Sequence, residues 1–367
     1  MKPLVCLCLL AACGDNTTSV SPDAAPPIEP PPPPGIQFFD FAIAVDVSPD
    51  GRTAVFEDVS TSIARAYVVD TITGQPDENP VVVGDPGRVI ATGVSDNRRL
   101  SALHGEPVQA GLWTATEWLD LGSPFAAGCD QDQSGAFDIS ADGETMVGLA
   151  WNGCSPRAFR WTAATGFTTL QQLGTGFDGG APNNRATVIS DDGQVTAGFA
   201  QNGAADRSPA IWHADGTGLL LTPDDHETPG EVMAINADGT RVAGMIGLDG
   251  FAWSAATGIV MLERFPEALP SDTVFPNTQS GDGEFVFGGV GDIFFTLPTA
   301  FVWSARTGMR PVVAVAREAG ITISEDTLLF SVLGASADGL VLVGTAMVGR
   351  QPKTFVLRLP ASAYERS

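Results

Sequence analysis

The chain has 367 residues, with 19 basic and 43 acidic side chains and a formal net charge of −24. No basic cluster offsets that charge, which excludes nucleic acid and anionic lipid surfaces as natural partners. Three histidines, His104, His213 and His226, are all that would serve a nucleophile, and none of GxxxxGK, HExxH or GxSxG occurs.

Residues 1–12 carry Lys2, an apolar run from Leu4 to Leu10 and two alanines before Cys13. This pattern reads as a secretory signal, too short to span a bilayer as a mature helix. Leu10-Ala-Ala-Cys13 resembles the bacterial lipobox, which implies cleavage before Cys13 and its lipidation as the membrane anchor. By the sorting rule of Gram-negative lipoproteins, Gly14 after that cysteine implies the outer membrane, with the domain on the periplasmic side or the cell surface. Residues 13–35 follow as a linker ending in the Pro30–Pro34 run. Such a segment stays in polyproline II and, at roughly 3.1 Å per residue, spans up to about 70 Å.

Residues 36–359 form one repeat domain, and residues 360–367 a polar tail. The repeat is clearest from Phe137 to Gly166, where FDISADGETMVGL is followed by a variable loop and AFRWTAATG. Aligned on its Asp-Gly, seven copies begin their turns at Asp50, Asp96, Asp142, Asp192, Asp238, Asp282 and Asp338, about 46 residues apart. Trp113, Trp161, Trp212, Trp253 and Trp303 form a second landmark, with Val69 and Leu357 in the outer copies. A Thr-Gly turn follows in most copies. Asp-Gly suits a tight hairpin because Gly takes positive φ freely. The AFRWT segment alternates aromatic and polar residues, as a strand with two unlike faces does. Strand, tight turn, strand, loop, strand, tight turn, strand at this period specifies a seven-bladed β-propeller of four-stranded blades.

The last copy ends after its third strand, Thr354–Arg358, while Ile36–Phe39 precedes the first copy as an extra apolar run. The N-terminal run is therefore expected to close the last blade, removing a free sheet edge. Pro311–Ala319, closed by Gly320, is expected to form a short helix between the sixth and seventh copies. The registered tryptophans are expected to fill the gaps between neighbouring blades.

Cys129 and Cys154 remain after processing. The hairpin register set by Asp142-Gly143 places them side by side at its open end, so a disulfide is expected, worth roughly 3.5 kcal/mol for a loop of that length. In the same copy Asp130, Asp132, Ser134 and Asp138 place oxygens at alternate positions around Gly135. This is the front of a calcium loop, although Ala141 stands where the closing acid belongs. Asp224, Asp225, His226 and Glu227 mix an imidazole with carboxylates and make a weaker metal or ligand-binding candidate. Trp151, read as lying in a variable loop beside Cys154, is a candidate exposed ligand contact.

If strands alternate in direction, the 1–2 and 3–4 turns share one face and the longer 2–3 and 4–1 loops share the other. Variable loops on a regular scaffold carry binding. The repeats resemble the bacterial extracellular HAF-repeat family. The resemblance rests on Ile139-Ser-Ala-Asp-Gly143, Val147-Gly148 and Ala158-Phe-Arg-Trp-Thr162, echoed at Ala252-Trp-Ser254 and Ala300-Phe-Val-Trp-Ser304. Arg157, Gly250 and Thr299 replace that family's His before Ala-Phe. The resemblance implies the propeller and brings no activity with it.

The reading is a non-enzymatic, monomeric, lipid-anchored propeller that binds a protein or polysaccharide through its loop face. The alternatives are a polysaccharide hydrolase or lyase using carboxylates, with or without calcium, and a structural spacer. Buried carboxylates with raised pKa in the central channel favour the enzyme, and a channel lined by small apolar residues favours the binder.

Overall fold

The computed structural model describes residues 32–365, apart from 42, 59–63, 79, 85–89, 127, 131, 176–181, 205–206 and 293–297. The expected signal, the expected lipidation site Cys13 and most of the linker lie outside the described residues.

Seven antiparallel sheets make a ring. The first blade runs from its innermost strand β2 (Ile43–Val47) through β3 (Thr53–Asp58) and β4 (Ala64–Asp70). Its outer strand is split into β5 (Gln75–Pro76) and β6 (Val81–Gly84), both paired with β4. The second is β7 (Ile90–Val94), β8 (Leu100–His104), β9 (Gln109–Trp113) and β10 (Trp118–Gly122). The third is β11 (Ser134–Ile139), β12 (Thr145–Asn152), β13 (Ser155–Thr162) and β14 (Gly166–Thr169). The fourth comprises β15 (Asn184–Ile189), β16 (Val195–Ala200), β17 (Ser208–His213) and β18 (Gly218–Leu220). The fifth comprises β19 (Gly230–Ile235), β20 (Arg241–Ile246), β21 (Asp249–Ser254) and β22 (Gly258–Met261). The sixth has β23 (Thr273–Gln279), β24 (Val286–Gly291), β25 (Thr299–Ser304) and β26 (Gly308–Pro311). The predicted helix follows as α1 (Val312–Glu318). The seventh has β27 (Thr327–Ala335), β28 (Val341–Val348) and β29 (Gln351–Arg358).

The seventh blade takes its fourth strand from the start of the chain. β1 (Gly35–Phe39) pairs with β29 from Gly35↔Arg358 to Phe39↔Thr354. This is the expected closure. Gln37 Nε2 donates to the Gly74 carbonyl at 3.1 Å, and Lys353 pairs with Asp40, tying the seam to the first blade and its entry strand.

The Ser-x-Asp-Gly motif works as a prefabricated turn. In the third blade the Ser140 hydroxyl donates to Asp142 Oδ1 at 2.6 Å and accepts the Thr145 N–H at 3.1 Å. Asp142 Oδ1 also accepts the Glu144 N–H at 2.9 Å, and Gly143 sits at φ 70°. The second blade corrects the sequence alignment by one residue. Ser95 donates to Asn97, not Asp96, so its turn is Asn97-Arg98, and Arg98 occupies the left-handed region at φ 64°. Elsewhere that position is glycine because a Cβ is strained there. Gly193→Ala, whose Cβ would meet nothing closer than 3.4 Å, should therefore cost about 1 kcal/mol from backbone conformation alone. A lower urea midpoint at unchanged m-value checks this.

Each registered tryptophan packs across a blade boundary. Trp212 is fully buried among residues of blades three and four, with Nε1 donating to the Gln171 carbonyl at 2.9 Å. Trp303 lies in a cluster shared by blades five and six, and Trp253 in one shared by four and five. The chain end also differs from expectation, because it is docked. Ala361–Tyr364 forms a 3-10 turn, and the Tyr364 ring stacks on Phe285 at 4.1 Å while its hydroxyl donates to the Gly339 carbonyl. An aromatic anchor fastens the polar tail across blades six and seven.

Candidate functional site

The seven innermost strands enclose a channel of about 230 Å³. Each carries a bulge just before the Ser-x-Asp-Gly turn, between Ala44 and Asp46, Ala136 and Asp138, or Ala186 and Val188, for example. An extra residue there breaks the alternation of faces and re-aims the side chains beside it. In this way Asp46 and Asp138 come to line the channel together with apolar Val45, Val188, Ile235 and Leu333.

Both carboxylates act as clasps between blades. Asp46 accepts the Val47 N–H at 2.7 Å through Oδ1 and the Val94 N–H of the next blade at 3.2 Å through Oδ2. Asp138 repeats this with Ile139 and with Ile189 of the fourth blade, both at 2.8 Å. Each carboxylate presses on the preceding blade at a glycine. A Cβ on Gly334 would stand 2.7 Å from Asp46 Oδ1, and one on Gly93 2.9 Å from Asp138 Oδ1. Although both residues keep some surface toward the lumen, the carboxylates are enclosed by protein. Burial raises Asp46 to about 7 against the pull of its two N–H donors, and the Asp191 charge adds to the rise. Asp138 is held well above the carboxylate range by burial and then by Asp46. Asp191, lower in the channel, is raised to about 6 by burial and by Asp96 and Asp192. Glu57, buried in β3, accepts the Ala91 N–H at 2.5 Å and is raised to about 7 by burial.

The channel is cinched at the Ser-x-Asp-Gly face by a belt of inter-blade hydrogen bonds. The N–H of Asp96 donates to Ala141, Ala141 to Asp191, Asp192 to Ala237, Ala237 to Gly281, Gly281 to Ala337 and Ala337 to Pro49, all at 2.7–3.1 Å. Pro49 has no N–H to continue it. Instead Asp50 donates to the Asp96 carboxylate at 2.8 Å and completes the circle.

The opposite mouth, on the loop face, is chemically mixed. Glu231, 8% exposed, accepts from Arg185 at 2.5 Å, from Arg207 at 3.2 Å and from the Thr187 hydroxyl at 2.5 Å. The Arg185 guanidinium stacks on Phe137 and Phe199 at 5.1 and 5.2 Å, and that of Arg207 on Phe199 at 4.9 Å. Arg185 Nε is buried without a hydrogen-bond partner. Across the mouth, Ile43 and Ile90 stand exposed at the starts of β2 and β7, and Leu328 near the start of β27.

The sequence candidates fare unequally. Cys129 and Cys154 form the expected disulfide, with Cα atoms 4.7 Å apart. The calcium loop does not assemble. Asp130 sits exposed in a turn and Asp132 bridges Cys129, whereas Ser134 is buried in β11, accepting the Ala110 N–H and donating to the Gly122 carbonyl. Asp138 is four residues further on, in the channel. Among the described residues no group of three or more His, Cys, Asp or Glu side chains is placed to hold a metal ion. A strand spreads residues that a loop would gather.

Asp224 ties two loops, accepting from the Thr175 N–H and hydroxyl and from the Gly203 N–H. His226 Nδ1 donates to the Thr228 carbonyl at 3.1 Å, and Asp225 points to solvent. These residues make a loop clasp, not a metal centre. Trp151 is half-buried near the end of β12, paired with Pro156, and so lies in a strand rather than a loop. The Arg185–Glu231–Arg207 cluster was missed. Its signal lies in the repeat itself, since Arg185 and Glu231 occupy the same position of adjacent copies.

The sequence matches no protein-family model and no curated protein. Solved structures share the fold at low identity. An oligogalacturonate lyase from Vibrio parahaemolyticus is 11% identical with a TM-score of 0.54, covering 90% of this chain and 98% of its own. Kuenenia stuttgartiensis hydrazine synthase is 14% identical with a TM-score of 0.53, over 95% and 99% of the two chains. TolB from Acinetobacter baumannii, 15% identical with a TM-score of 0.41, is matched over 71% of this chain and 60% of its own. For the lyase and the synthase, at these identities, the likeness is one of fold.

Proposed function

We propose that this chain is a lipid-anchored, extracytoplasmic propeller of the HAF-repeat kind. In this reading it binds an envelope or extracellular protein or polysaccharide through its loop face and catalyses no reaction. Cys13 would carry the anchor, and the Cys129–Cys154 disulfide suits an oxidising compartment. The observation that carries the reading is the loop-side mouth. There a preorganised arginine pair on phenylalanine faces stands opposite an exposed aliphatic rim, which suits a partner segment with acidic and apolar groups side by side.

The channel carboxylates fit this reading as structure, because every oxygen of Asp46 and Asp138 already accepts a backbone N–H. A photo-crosslinking residue placed at Ile90 on the loop face should capture a partner in intact cells, while one at Ala164 in a 3–4 turn should not. Arg207→Glu should lower the Ile90 yield several-fold. Adducts from Ala164 alone would overturn the assignment of the face.

A second reading, a polysaccharide hydrolase or lyase, is favoured by the raised pKa values of Asp46, Asp138 and Asp191 in one channel. It requires that Asp46→Asn/Asp138→Asn abolish cleavage of an acidic oligosaccharide by an otherwise folded protein.

A further inference from the structure

A separate cleft opens on the loop face between blades five and six, with a volume of about 600 Å³. This is within the usual range of small-molecule sites. Its wall is apolar at Phe265, Leu269, Val290 and Met309 and carries three charged groups, Glu267, Asp272 and Arg310. Asp272 is 7% exposed. Its Oδ2 accepts the Leu269 N–H at 2.7 Å, while its Oδ1 is closed off from bulk solvent and has no hydrogen-bond partner. Leaving a buried carboxylate oxygen without a donor is costly, and such atoms mark a place where a donor belongs. Arg310 does not supply it, because its guanidinium is paired with Glu318 at 2.6 Å. Glu267 adds a second acid to the lining, so the cleft favours positive charge.

We propose that this cleft binds a small organic ammonium ion with an apolar body. Its N–H would donate to Asp272 Oδ1 on parting the side chains that close over that atom, and its hydrocarbon part would cover Phe265, Val290 and Met309. The site is independent of the partner surface at the channel mouth, since it draws on the 4–1 connection after β22 and on residues of β24 and β26. The chemistry selects for a charged donor, and a neutral alcohol of the same shape is a poorer ligand.

The test is saturation-transfer NMR and calorimetric titration of the folded domain with phenethylamine, beside phenethyl alcohol. Wild type should bind the amine with a Kd on the order of 1 mM and bind the alcohol more weakly. Asp272→Asn should weaken the amine roughly tenfold or more and leave the alcohol unchanged. Leu269→Arg alters an exposed side chain at the rim, so folding is not at stake, and its added cation should also weaken the amine. Equal amine affinity in wild type and both variants, equal affinity for amine and alcohol, or no saturation transfer to wild type would each overturn the proposal.

Discussion

Removing residues 1–40 will lower the melting temperature by about 7 °C, whereas a deletion that stops at Pro33 will leave it unchanged. The longer deletion takes away β1, whose five residues pair with β29. At about 0.5–1.5 kcal/mol net per hydrogen bond, together with the apolar cover of Ile36 and Phe38 on the blade six–seven core and of Phe39 on the blade one–seven core, the loss is on the order of 5 kcal/mol. For a domain of this size each kcal/mol shifts the midpoint by one to two degrees. The same deletion bares β29 as a free edge, so light scattering should rise with concentration. Calorimetry of the two truncations decides the matter, and equal melting points would mean that the ring holds without its seam.

Stability will rise, not fall, as pH is lowered from 8 to 5. Asp46 and Glu57 titrate at about 7 and Asp191 at about 6 in the folded protein, each above its ordinary value. The folded state therefore binds protons that the unfolded chain does not. Their stabilising effect is complete below the unfolded carboxylate range and is lost as pH climbs through 6 and 7. Asp46 alone contributes roughly 2 kcal/mol across this window. Relief of repulsion in a chain of net charge −24 acts in the same direction. Below pH 4 the trend reverses as Asp215 and Asp238, held below their usual values by hydrogen bonds from Thr217 and Thr240, take up protons. Thermal melts at half-unit pH steps should show a maximum near 5, and Asp46→Asn should flatten the slope between 5 and 8. A melting point that falls steadily from pH 8 would mean that these clasps must be charged to hold.

The repeat was readable because each landmark has a local cause. The Ser hydroxyl and Asp carboxylate build the turn within a few residues, and the tryptophan sits at a fixed register opposite the second strand, as in Met146↔Trp161 and Val242↔Trp253. Closure by Ile36–Phe39 followed from counting strands, and the disulfide from hairpin register. The channel was harder to read. Asp138 drew notice for its spacing to Asp130 and Asp132, but the bulge after Ala136 turns it into the lumen, and no pattern of alternate oxygens encodes a bulge. Arg185 and Glu231 stand 46 residues apart, and only treating equivalent positions of successive copies as neighbours in space would have joined them. Arg98 escaped because Asp96 mimics the turn aspartate one residue too early.

The direction of β1 has a consequence for how the molecule is presented. Because it runs antiparallel to β29 and begins opposite Arg358, the chain enters the propeller at the rim of the short-turn face. That entry lies on the side cinched by the belt, and the variable loops, the arginine mouth and the Asp272 cleft all open on the opposite side.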